Sequence, residues 1–455
     1  MAKQKIWYEC SNCGYTTTKW LGSCPSCKKW NTLSEKTSQK TNTNDHKARL
    51  KGTFEEQSPR KLEDIVFNES NRKSSGIPEL NRVLGGGFIE GSYILLGGDP
   101  GIGKSTLMLQ LAKGNPDLRI LYCSGEESAE QIKQRANRLR IHSNKLLVYA
   151  NTELDKVIQQ ANDVDPDLLI VDSIQTTYRT ELSSMPGSIQ QIKECAAMLQ
   201  KLAKNSGITT LIIGHITKTG DLAGPRVLEH MVDTVLQFEG SDNYTYRILR
   251  TLKNRFGPAQ EIGLFEMRDR GLIEVTNPSA LFVSDFAKPV SGSALVCTME
   301  GTRPLIVEVQ ALVTPSNYST PQRTCTGFDH KRLALLIAVL EKRCGINFAQ
   351  HDVYLNIAGG LKLTEPACDL AIACALVSSM YDKTVKPSSV LMGEIGLGSE
   401  LRAISNIEQR LKEIRKMGLK YTIAPEMEIT NNKLKQDYIT VSNLTDALKK
   451  CFKEN

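Results

Sequence analysis

The segment at residues 98–105 has the residue types and spacing of a loop that binds phosphate groups. It fits the pattern G-x-x-x-x-G-K-[ST]. Its residues are Gly98, Asp99, Pro100, Gly101, Ile102, Gly103, Lys104 and Ser105. Glycines let backbone N–H groups approach phosphate oxygens, the lysine neutralises their charge, and the hydroxyl ligates Mg²⁺. The pattern therefore predicts a site for a nucleoside triphosphate with Mg²⁺.

The flanking residues favour this interpretation over a glycine-rich turn that matches the pattern by chance. An apolar run of β type, residues 93–96, leads into the loop, and a run compatible with a helix, residues 105–112, leads out. A helix that begins at the loop presents its positive end to the bound anion. We therefore expect Lys104 to contact the β- and γ-phosphates and Ser105 to hold the metal ion.

Two further polar residues end apolar runs of β type. Asp172 closes the run at 168–171, and His215 follows the run at 209–214. In nucleotide hydrolases an acid at such a strand end holds Mg²⁺, whereas the alternative role is the N-cap of a helix. Open α/β sheets bind ligands at the carboxyl ends of their strands, so His215 has a position suited to sensing the nucleotide, although a lone histidine is more often structural.

Four cysteines near the N-terminus have the spacing of zinc ligands. They form two C-x-x-C pairs separated by ten residues: Cys10, Cys13, Cys24 and Cys27. Two such pairs can deliver four thiolates to one tetrahedral Zn²⁺, which predicts a structural zinc ribbon. Every tryptophan of the chain lies here as well, namely Trp7, Trp20 and Trp30. We expect these rings to form the small core of a metal-dependent module, and base stacking is the alternative.

A basic cluster follows a β-type run in the second half of the nucleotide-binding region. Its residues are Arg247, Arg250, Lys253, Arg255, Phe256 and Gly257. Phe256 can anchor a turn by burial, and we expect Gly257 to permit an unusual backbone angle. Two cations on an anchored turn can reach a phosphate held by a neighbouring subunit. The spacing alone supports an exposed charged hairpin equally well.

Composition is that of an ordinary soluble globular protein, with 40% apolar and 24% charged residues. The net charge of +7 resides in residues 1–61, which hold 12 Lys/Arg and 5 Asp/Glu. Apolar runs do not approach the ~18 residues that cross a bilayer, and the charged start lacks the apolar segment of a secretory signal. The eight cysteines outside the two pairs read as small apolar residues in a reducing compartment. We therefore expect a cytoplasmic protein with no membrane partner.

The pattern changes along the 455 residues predict an α/β protein with several parts. We assign residues 1–35 to the four-cysteine ribbon and residues 36–61, rich in polar residues, to a flexible basic linker. Residues 62–278 alternate β-type and helix-type runs around the phosphate loop, as in a largely parallel sheet. Residues 279–455 form a separate domain without a second phosphate loop.

This combination resembles the bacterial RadA (Sms) family of DNA repair proteins over essentially the whole chain. The resemblance rests on the four-cysteine ribbon, the ATPase motifs at residues 98–105 and 168–172, and the pentapeptide at 253–257, KNRFG, a hallmark of that family. It implies an N-terminal zinc ribbon, a central RecA-like P-loop ATPase domain and a C-terminal Lon-protease-like domain.

The resemblance also implies an activity and partners. Members of this family are DNA-dependent ATPases that form rings, expected to be hexamers, on single-stranded and branched DNA. They promote branch migration beside the RecA recombinase. In this reading Lys253 and Arg255 act on the ATP of a neighbouring subunit. RecA-like folds place a water-activating carboxylate where Glu126 stands, and the adjacent Glu127 is the alternative.

The C-terminal region resembles the proteolytic domain of Lon from His351 onward, but without its catalytic pair. Ala367 occupies the position of the nucleophilic serine, and Glu408 replaces the general-base lysine. Acyl transfer by this route needs both groups, so we expect a non-proteolytic platform for assembly and DNA binding. Cys368 is the nearby nucleophile, and its apolar surroundings favour packing.

Two other functions stay open at this point. An ATP-dependent peptidase of Lon type is disfavoured by the missing pair. A scaffold that binds nucleotide only to assemble is disfavoured by the hydrolytic residues Lys104, Ser105, Glu126 and Asp172.

Overall fold

The computed structural model describes residues 72–215, 227–240, 246–283, 290–317 and 320–452, with short stretches of the first 71 residues. Those stretches are residues 6–10, 16–17, 19, 22–23, 25, 28–30, 33–37, 61 and 63. The chain divides into two compact units, residues 1–65 and 66–455.

The first unit contains a small antiparallel sheet. Its strands are β1 (Ile6–Cys10), β2 (Thr16–Thr17) and β3 (Leu33–Thr37), in the order β2-β1-β3. Trp30 pairs with Ser23 in an isolated bridge, and its side chain is 76% exposed. The expectation that this ring packs into a core is therefore wrong. Trp20 and the side chain of Trp7 lie outside the described residues.

The second unit begins with an α/β arrangement. Its strands are β4 (Arg72–Lys73), β5 (Phe88–Ile89), β6 (Tyr93–Gly98), β7 (Ile120–Ser124), β8 (Leu146–Ala150), β9 (Leu168–Asp172), β10 (Thr209–His215), β11 (Thr234–Glu239), β12 (Tyr246–Asn254), β13 (Ile262–Arg268) and β14 (Gly271–Glu274). Its helices are α1 (Pro78–Leu84), α2 (Lys104–Gly114), α3 (Ala129–Arg138), α4 (Leu154–Val164), α5 (Ile189–Ser206) and α6 (Val227–Met231). Helix α3 begins at a capping box in which Ser128 and Gln131 bond each other's backbone N–H groups.

Nine of these strands form one sheet within the described residues, in the order β14-β13-β12-β11-β6-β10-β9-β7-β8. Strands β6 to β11 run parallel, whereas β12, β13 and β14 extend the sheet by antiparallel pairing. Successive side chains of a strand face opposite sides, so both faces carry apolar residues. Ile94 and Leu96 of β6 pack into one core cluster, and Tyr93 and Leu95 pack into another.

The rest of the unit is built on a second sheet. Its seven strands are β15 (Ser293–Glu300), β16 (Arg303–Pro315), β17 (Arg323–Thr326), β18 (His351–Ile357), β19 (Ser389–Leu391), β22 (Tyr421–Ala424) and β23 (Tyr438–Thr440). Their order is β17-β18-β16-β15-β19-β22-β23. A separate hairpin consists of β20 (Glu394–Ile395) and β21 (Leu401–Arg402). The helices are α7 (His330–Cys344), α8 (Asp369–Met380), α9 (Ile407–Lys416) and α10 (Leu444–Cys451).

Helix α8 is buried in the core of this second part. It is apolar on all sides, which is the pattern of a helix surrounded by protein. Residues Pro366–Cys368 before it form a 3₁₀ turn, and the α-helix begins at Asp369. Helix α7 begins after Asp329, whose carboxylate accepts the N–H of Arg332 at 2.8 Å.

The tip of the β15–β16 hairpin contacts the nine-stranded sheet. Glu300 accepts from the Arg250 guanidinium at 2.6 Å, and Arg250 also donates to Glu239 at 3.1 Å. The N–H of Thr302 donates to Glu261 at 2.7 Å. A guanidinium shared by two half-buried carboxylates thus joins the two sheets.

Among the residues described, no helix is both long and apolar enough to cross a membrane. The predicted boundaries at residues 35, 61 and 278 stay predictions, although β14 ends at Glu274 and β15 begins at Ser293.

Candidate active site

The predicted phosphate loop connects the end of β6 to the start of α2. Gly101 has φ +79°, and a Cβ built there would have no neighbour within 4 Å, so the loop is open on that side. Gly103 has φ +119°, and a Cβ there would lie 2.8 Å from the Met267 side chain. Both positions require glycine, one for its backbone angle alone and the other for space as well. The predicted strand, loop and helix are therefore all present.

Lys104 is only 5% exposed and lies against the loop it belongs to. Its Nζ donates to the carbonyl oxygens of Gly98 at 2.7 Å and Asp99 at 2.9 Å. Burial lowers the pKa of Lys104, and the nearby carboxylates of Asp172, Glu126 and Asp99 oppose that shift. A phosphate bound in the open loop would stabilise the charge of this partly desolvated ammonium.

The two predicted magnesium ligands are joined by a residue that the sequence analysis missed. The Tyr122 hydroxyl donates to Asp172 Oδ2, and the Ser105 side chain lies close enough to the phenol to oppose the rise of its pKa. Burial raises the pKa of Tyr122 well above its usual value, so the phenol keeps the proton that it donates. A hydroxyl and a carboxylate are the hard oxygen ligands that Mg²⁺ prefers. The donor set of Ser105 and Asp172 therefore fits the ion.

Glu126 lies where three strand ends meet. Its Oε1 accepts from Ser173 Oγ at 2.7 Å and from His215 Nε2 at 3.0 Å. Burial alone would raise the pKa of Glu126, but these two hydrogen bonds, with His215 and Lys104 nearby, lower it. Glu126 and its neighbour Glu127 both line an open cavity of about 380 Å³. An ionised carboxylate beside open space is suited to accept a proton from water.

Glu127 is oriented differently from its neighbour. It forms an ion pair with Arg135 of α3, and its backbone N–H donates to Ser124 Oγ at 3.0 Å. Because this carboxylate already has a cationic partner, the structure favours Glu126 as the residue that contacts water. Arg135 lies in the helix that follows Glu127, eight residues further along the chain.

The pentapeptide at 253–257 lies at the opposite end of the strands from the phosphate loop. Asn254 at the end of β12 pairs with Thr234 at the start of β11, and Thr234 pairs with Ile94 near the start of β6. The phosphate loop begins at Gly98, at the far end of the same strand. Strands rise about 3.3 Å per residue, so the four residues from Ile94 to Gly98 separate the two levels by roughly 13 Å. The structure therefore does not bring Lys253 and Arg255 to the phosphate loop of their own chain.

Both cations of the pentapeptide have local partners. Lys253 Nζ donates to the carbonyls of Glu229 at 2.7 Å and Val232 at 2.8 Å, where α6 ends. Burial, followed by the neighbouring Arg255, lowers the pKa of Lys253. Arg255 is paired with the buried Asp233 at 3.3 Å, yet its side chain is 54% exposed.

The turn that carries these cations is held by contacts that differ from the expected ones. Phe256 is half-buried, with Lys204 Nζ 5.8 Å from its ring centroid. The unusual backbone angle expected at Gly257 is absent, because this residue does not have a positive φ. Instead, a Cβ at Gly257 would lie 3.0 Å from the Cα of Gly85. Glycine is needed there because two backbones come close together.

The remaining predicted residues are distributed between the two units. Cys10 ends β1, whereas Cys13, Cys24 and Cys27 lie outside the described residues. Ala367 is buried in its 3₁₀ turn, and burial raises the pKa of the adjacent Cys368 thiol. Glu408 accepts backbone N–H groups from Thr430 at 2.8 Å and Asn431 at 3.1 Å, so it holds a loop.

Comparison with known proteins shows relatives that match nearly end to end. A DNA repair protein RadA from Halalkalibacterium halodurans is 46% identical over 452 residues, which cover 98% of this chain and 99% of the relative. A DNA repair protein RadA from Bacillus subtilis is 46% identical over 453 residues, 99% of each chain. The chain belongs to the family of RadA DNA repair proteins. The resemblance drawn from the motifs is thereby confirmed.

Three family models match separate parts of the chain. They are the rubredoxin metal binding domain over residues 8–35, the AAA domain over residues 56–221 and subunit ChlI of Mg-chelatase over residues 328–428. The predicted α/β fold class is confirmed, with its N-terminal ribbon, central RecA-like P-loop domain and C-terminal Lon-like domain. The AAA match supports ATP as the nucleotide, and the ribbon match supports a metal site. A solved structure titled as the RadB recombinase matches at 21% identity over 44% of this chain with a TM-score of 0.36, too low to add to this.

Proposed function

We propose that the protein is a DNA-dependent ATPase of recombinational repair. It acts as a ring, expected to be a hexamer, on single-stranded and branched DNA, and it promotes branch migration together with the RecA recombinase. The observation that supports a ring is that the phosphate loop and the pentapeptide lie at opposite ends of the strands of one sheet. The proposed active site is complete only when a neighbouring subunit brings its pentapeptide to the phosphate loop of this subunit.

Hydrolysis is assigned to residues at the carboxyl ends of the parallel strands, beside the phosphate loop. Backbone N–H groups of residues 98–105 and the Lys104 ammonium hold the phosphates. Ser105 and Asp172 would hold Mg²⁺, which when bound would neutralise charge on the phosphates. Glu126 takes a proton from water as the water oxygen bonds to the γ-phosphorus. The bond from the γ-phosphorus to the bridging oxygen breaks, and ADP and phosphate form.

Lys253 and Arg255 are proposed to act in trans. Charge moves onto the leaving oxygen during phosphoryl transfer, and a cation from the neighbouring subunit stabilises it. Arg255 is half-exposed and held at one end by Asp233, so it is positioned without being enclosed. Lys253 holds α6 through two carbonyls and would have to exchange them for a phosphate oxygen.

The two terminal parts are assigned supporting roles. We infer that Cys10, Cys13, Cys24 and Cys27 bind one structural Zn²⁺, because four thiolates at this spacing satisfy its tetrahedral preference. The C-terminal domain is a platform for assembly and DNA binding without proteolytic activity. Buried Ala367 offers no hydroxyl, and Glu408 is engaged by Thr430 and Asn431.

A subunit-mixing experiment tests action in trans. Arg255→Ala and Lys104→Ala chains are each expected to lack DNA-stimulated ATP hydrolysis. When they are mixed in equal amounts, about one quarter of the interfaces join an intact phosphate loop to an intact pentapeptide, so part of the activity returns. Lys253→Ala in place of Arg255→Ala gives a second pairing. Mixtures that stay inactive at every ratio, although they still co-assemble, would contradict the proposal.

A further inference from the structure

Among the residues that the structure describes, partners hold Glu126 through one of its two oxygens. Both Ser173 Oγ, at 2.7 Å, and His215 Nε2, at 3.0 Å, bond Oε1. Within the described residues no hydrogen bond reaches Oε2. A glutamate has three rotatable side-chain bonds and adopts many orientations unless contacts select one. Two bonds to one oxygen select an orientation and leave the other oxygen able to meet water.

The two donors come from different strands, and each is next to a residue of the phosphate site. Ser173 follows Asp172 at the end of β9, and its side chain is fully buried. His215 ends β10 and pairs with Gly98, the first residue of the loop. Because the donors share their backbone with the phosphate site, they fix Glu126 relative to the nucleotide.

The backbone of Ser173 is itself held firmly. The hydroxyls of Thr176 and Thr177 each donate to the Ser173 carbonyl at 2.9 Å. Glu126 has similar support from its own side, since a Cβ at Gly125 would lie 2.2 Å from the Thr176 hydroxyl oxygen. The close packing of these chains means that the Ser173 hydroxyl has little freedom to leave Glu126.

We propose that Ser173 and His215 are positioning residues that bind one oxygen of Glu126 and thereby direct the other oxygen to the attacking water. Neither residue touches the reacting atoms. The proposal rests on the proposed role of Glu126 in hydrolysis. For His215 it requires the hydrogen on Nε2, because a carboxylate can only accept.

Substitutions of Ser173 and His215 test the proposal with the full chain, ATP and single-stranded DNA. Ser173→Ala is expected to lower kcat about tenfold while KM for ATP stays within about twofold, because orientation of the base is lost and nucleotide binding is kept. His215→Leu is expected to behave in the same way. His215→Gln retains an N–H donor at a similar reach and is expected to recover most of kcat.

Thr210→Val is the matched control for Ser173→Ala. It removes a buried hydroxyl near the start of β10 that bonds the Ile208 carbonyl and does not touch Ser173 or Glu126. We expect its kcat to stay within about threefold of the original chain. A control that loses as much kcat as Ser173→Ala, or a Ser173→Ala chain whose KM rises while kcat holds, would overturn the positioning role.

Glu126→Gln separates this inference from the proposed function beneath it. If Glu126→Gln keeps a near-normal rate, the role of Glu126 fails and the positioning role fails with it. If Glu126→Gln is inactive but Ser173→Ala and His215→Leu are normal, only the positioning role fails. When both hold, adding Ser173→Ala to Glu126→Gln causes no further loss, since the two changes remove one function.

Discussion

Lys104 combines burial with a position that contributes little to the core. Its ammonium donates to loop carbonyls, and the charges of nearby carboxylates act on it. Lys104→Ala is expected to lower DNA-stimulated ATP hydrolysis at least about 100-fold, because the charge that balances the phosphates is lost. Thermal unfolding should change little. Lys113→Ala, an exposed lysine of the same helix, is the control and should retain normal turnover.

The adjacent glutamates offer a second comparison of single residues. Glu126→Gln is expected to lower kcat at least about 100-fold, because an amide cannot accept the proton from water. Glu127→Gln removes only a half-exposed ion pair with Arg135, so kcat should stay within about threefold. Single-turnover ATP hydrolysis measures both. Equal losses in the two variants would contradict the assignment of the base to Glu126.

The limits of sequence reasoning are visible at these same residues. The phosphate loop and Asp172 could be predicted because their pattern is local in the chain and its chemistry is specific. The choice between Glu126 and Glu127 could not, because it depends on Arg135 and on two donors, Ser173 and His215, that are distant in sequence. Tyr122 was missed since a tyrosine inside an apolar strand looks like a core residue until its hydroxyl is located.

Among the secondary-structure elements, the turn after β12 depends on a close approach of two backbones. A methyl group at Gly257 would lie 3.0 Å from the Gly85 Cα, and backbone cannot yield as a flexible side chain can. Gly257→Ala is expected to lower the free energy of unfolding by about 1–3 kcal/mol. Chemical denaturation measures this change. An unfolding free energy equal to that of the original chain would show that the turn can relax.

Two substitutions at the contact made by the β15–β16 hairpin are expected to lower the free energy of unfolding by different amounts. Arg250→Ala leaves Glu239 and Glu300 without their shared cation and is expected to cost about 3 kcal/mol, because unpaired, partly buried charges are unfavourable. Glu300→Gln keeps the Arg250–Glu239 pair and should cost about 1 kcal/mol. Denaturant titration of both variants checks the order. A larger loss for Glu300→Gln would contradict the role of Arg250 as the shared partner.

Prediction worked better for elements than for their connections. Strands β6, β9 and β10 were predicted within about two residues, because apolar runs mark them in the sequence. The antiparallel extension by β12, β13 and β14 was not predicted. Its strands resemble any half-buried strand, and only the pairing register shows that they continue the parallel sheet.

For the whole molecule, the division into units at residue 65 predicts separable behaviour. Chelation should remove one Zn²⁺ per chain and unfold only residues up to about 35, because the metal stabilises a module too small to fold alone. ATP hydrolysis by the second unit should be largely kept. Elemental analysis and circular dichroism measure the two effects. Protein purified without chelator that contains no zinc would contradict the ribbon assignment.

The distribution of charge along the chain predicts how DNA is bound. Residues 1–61 carry the net charge of +7, but the proposed ring places the principal contacts in its channel. Binding to single-stranded DNA should weaken steeply with salt, because phosphate contacts release counterions. Removal of residues 1–61 should reduce nucleotide-dependent binding without eliminating it. Complete loss in a truncated chain that still assembles would move the main site to the N-terminal segment.

The position of the phosphate loop and the pentapeptide at opposite ends of the strands has a genetic consequence. In the proposed ring each subunit belongs to two interfaces, one on each side. A chain with Lys104→Ala spoils one interface, whereas a chain that also carries Arg255→Ala spoils both. Expressed beside the normal gene, the double substitution should therefore be the more strongly dominant of the two, although neither chain alone has any activity to lose.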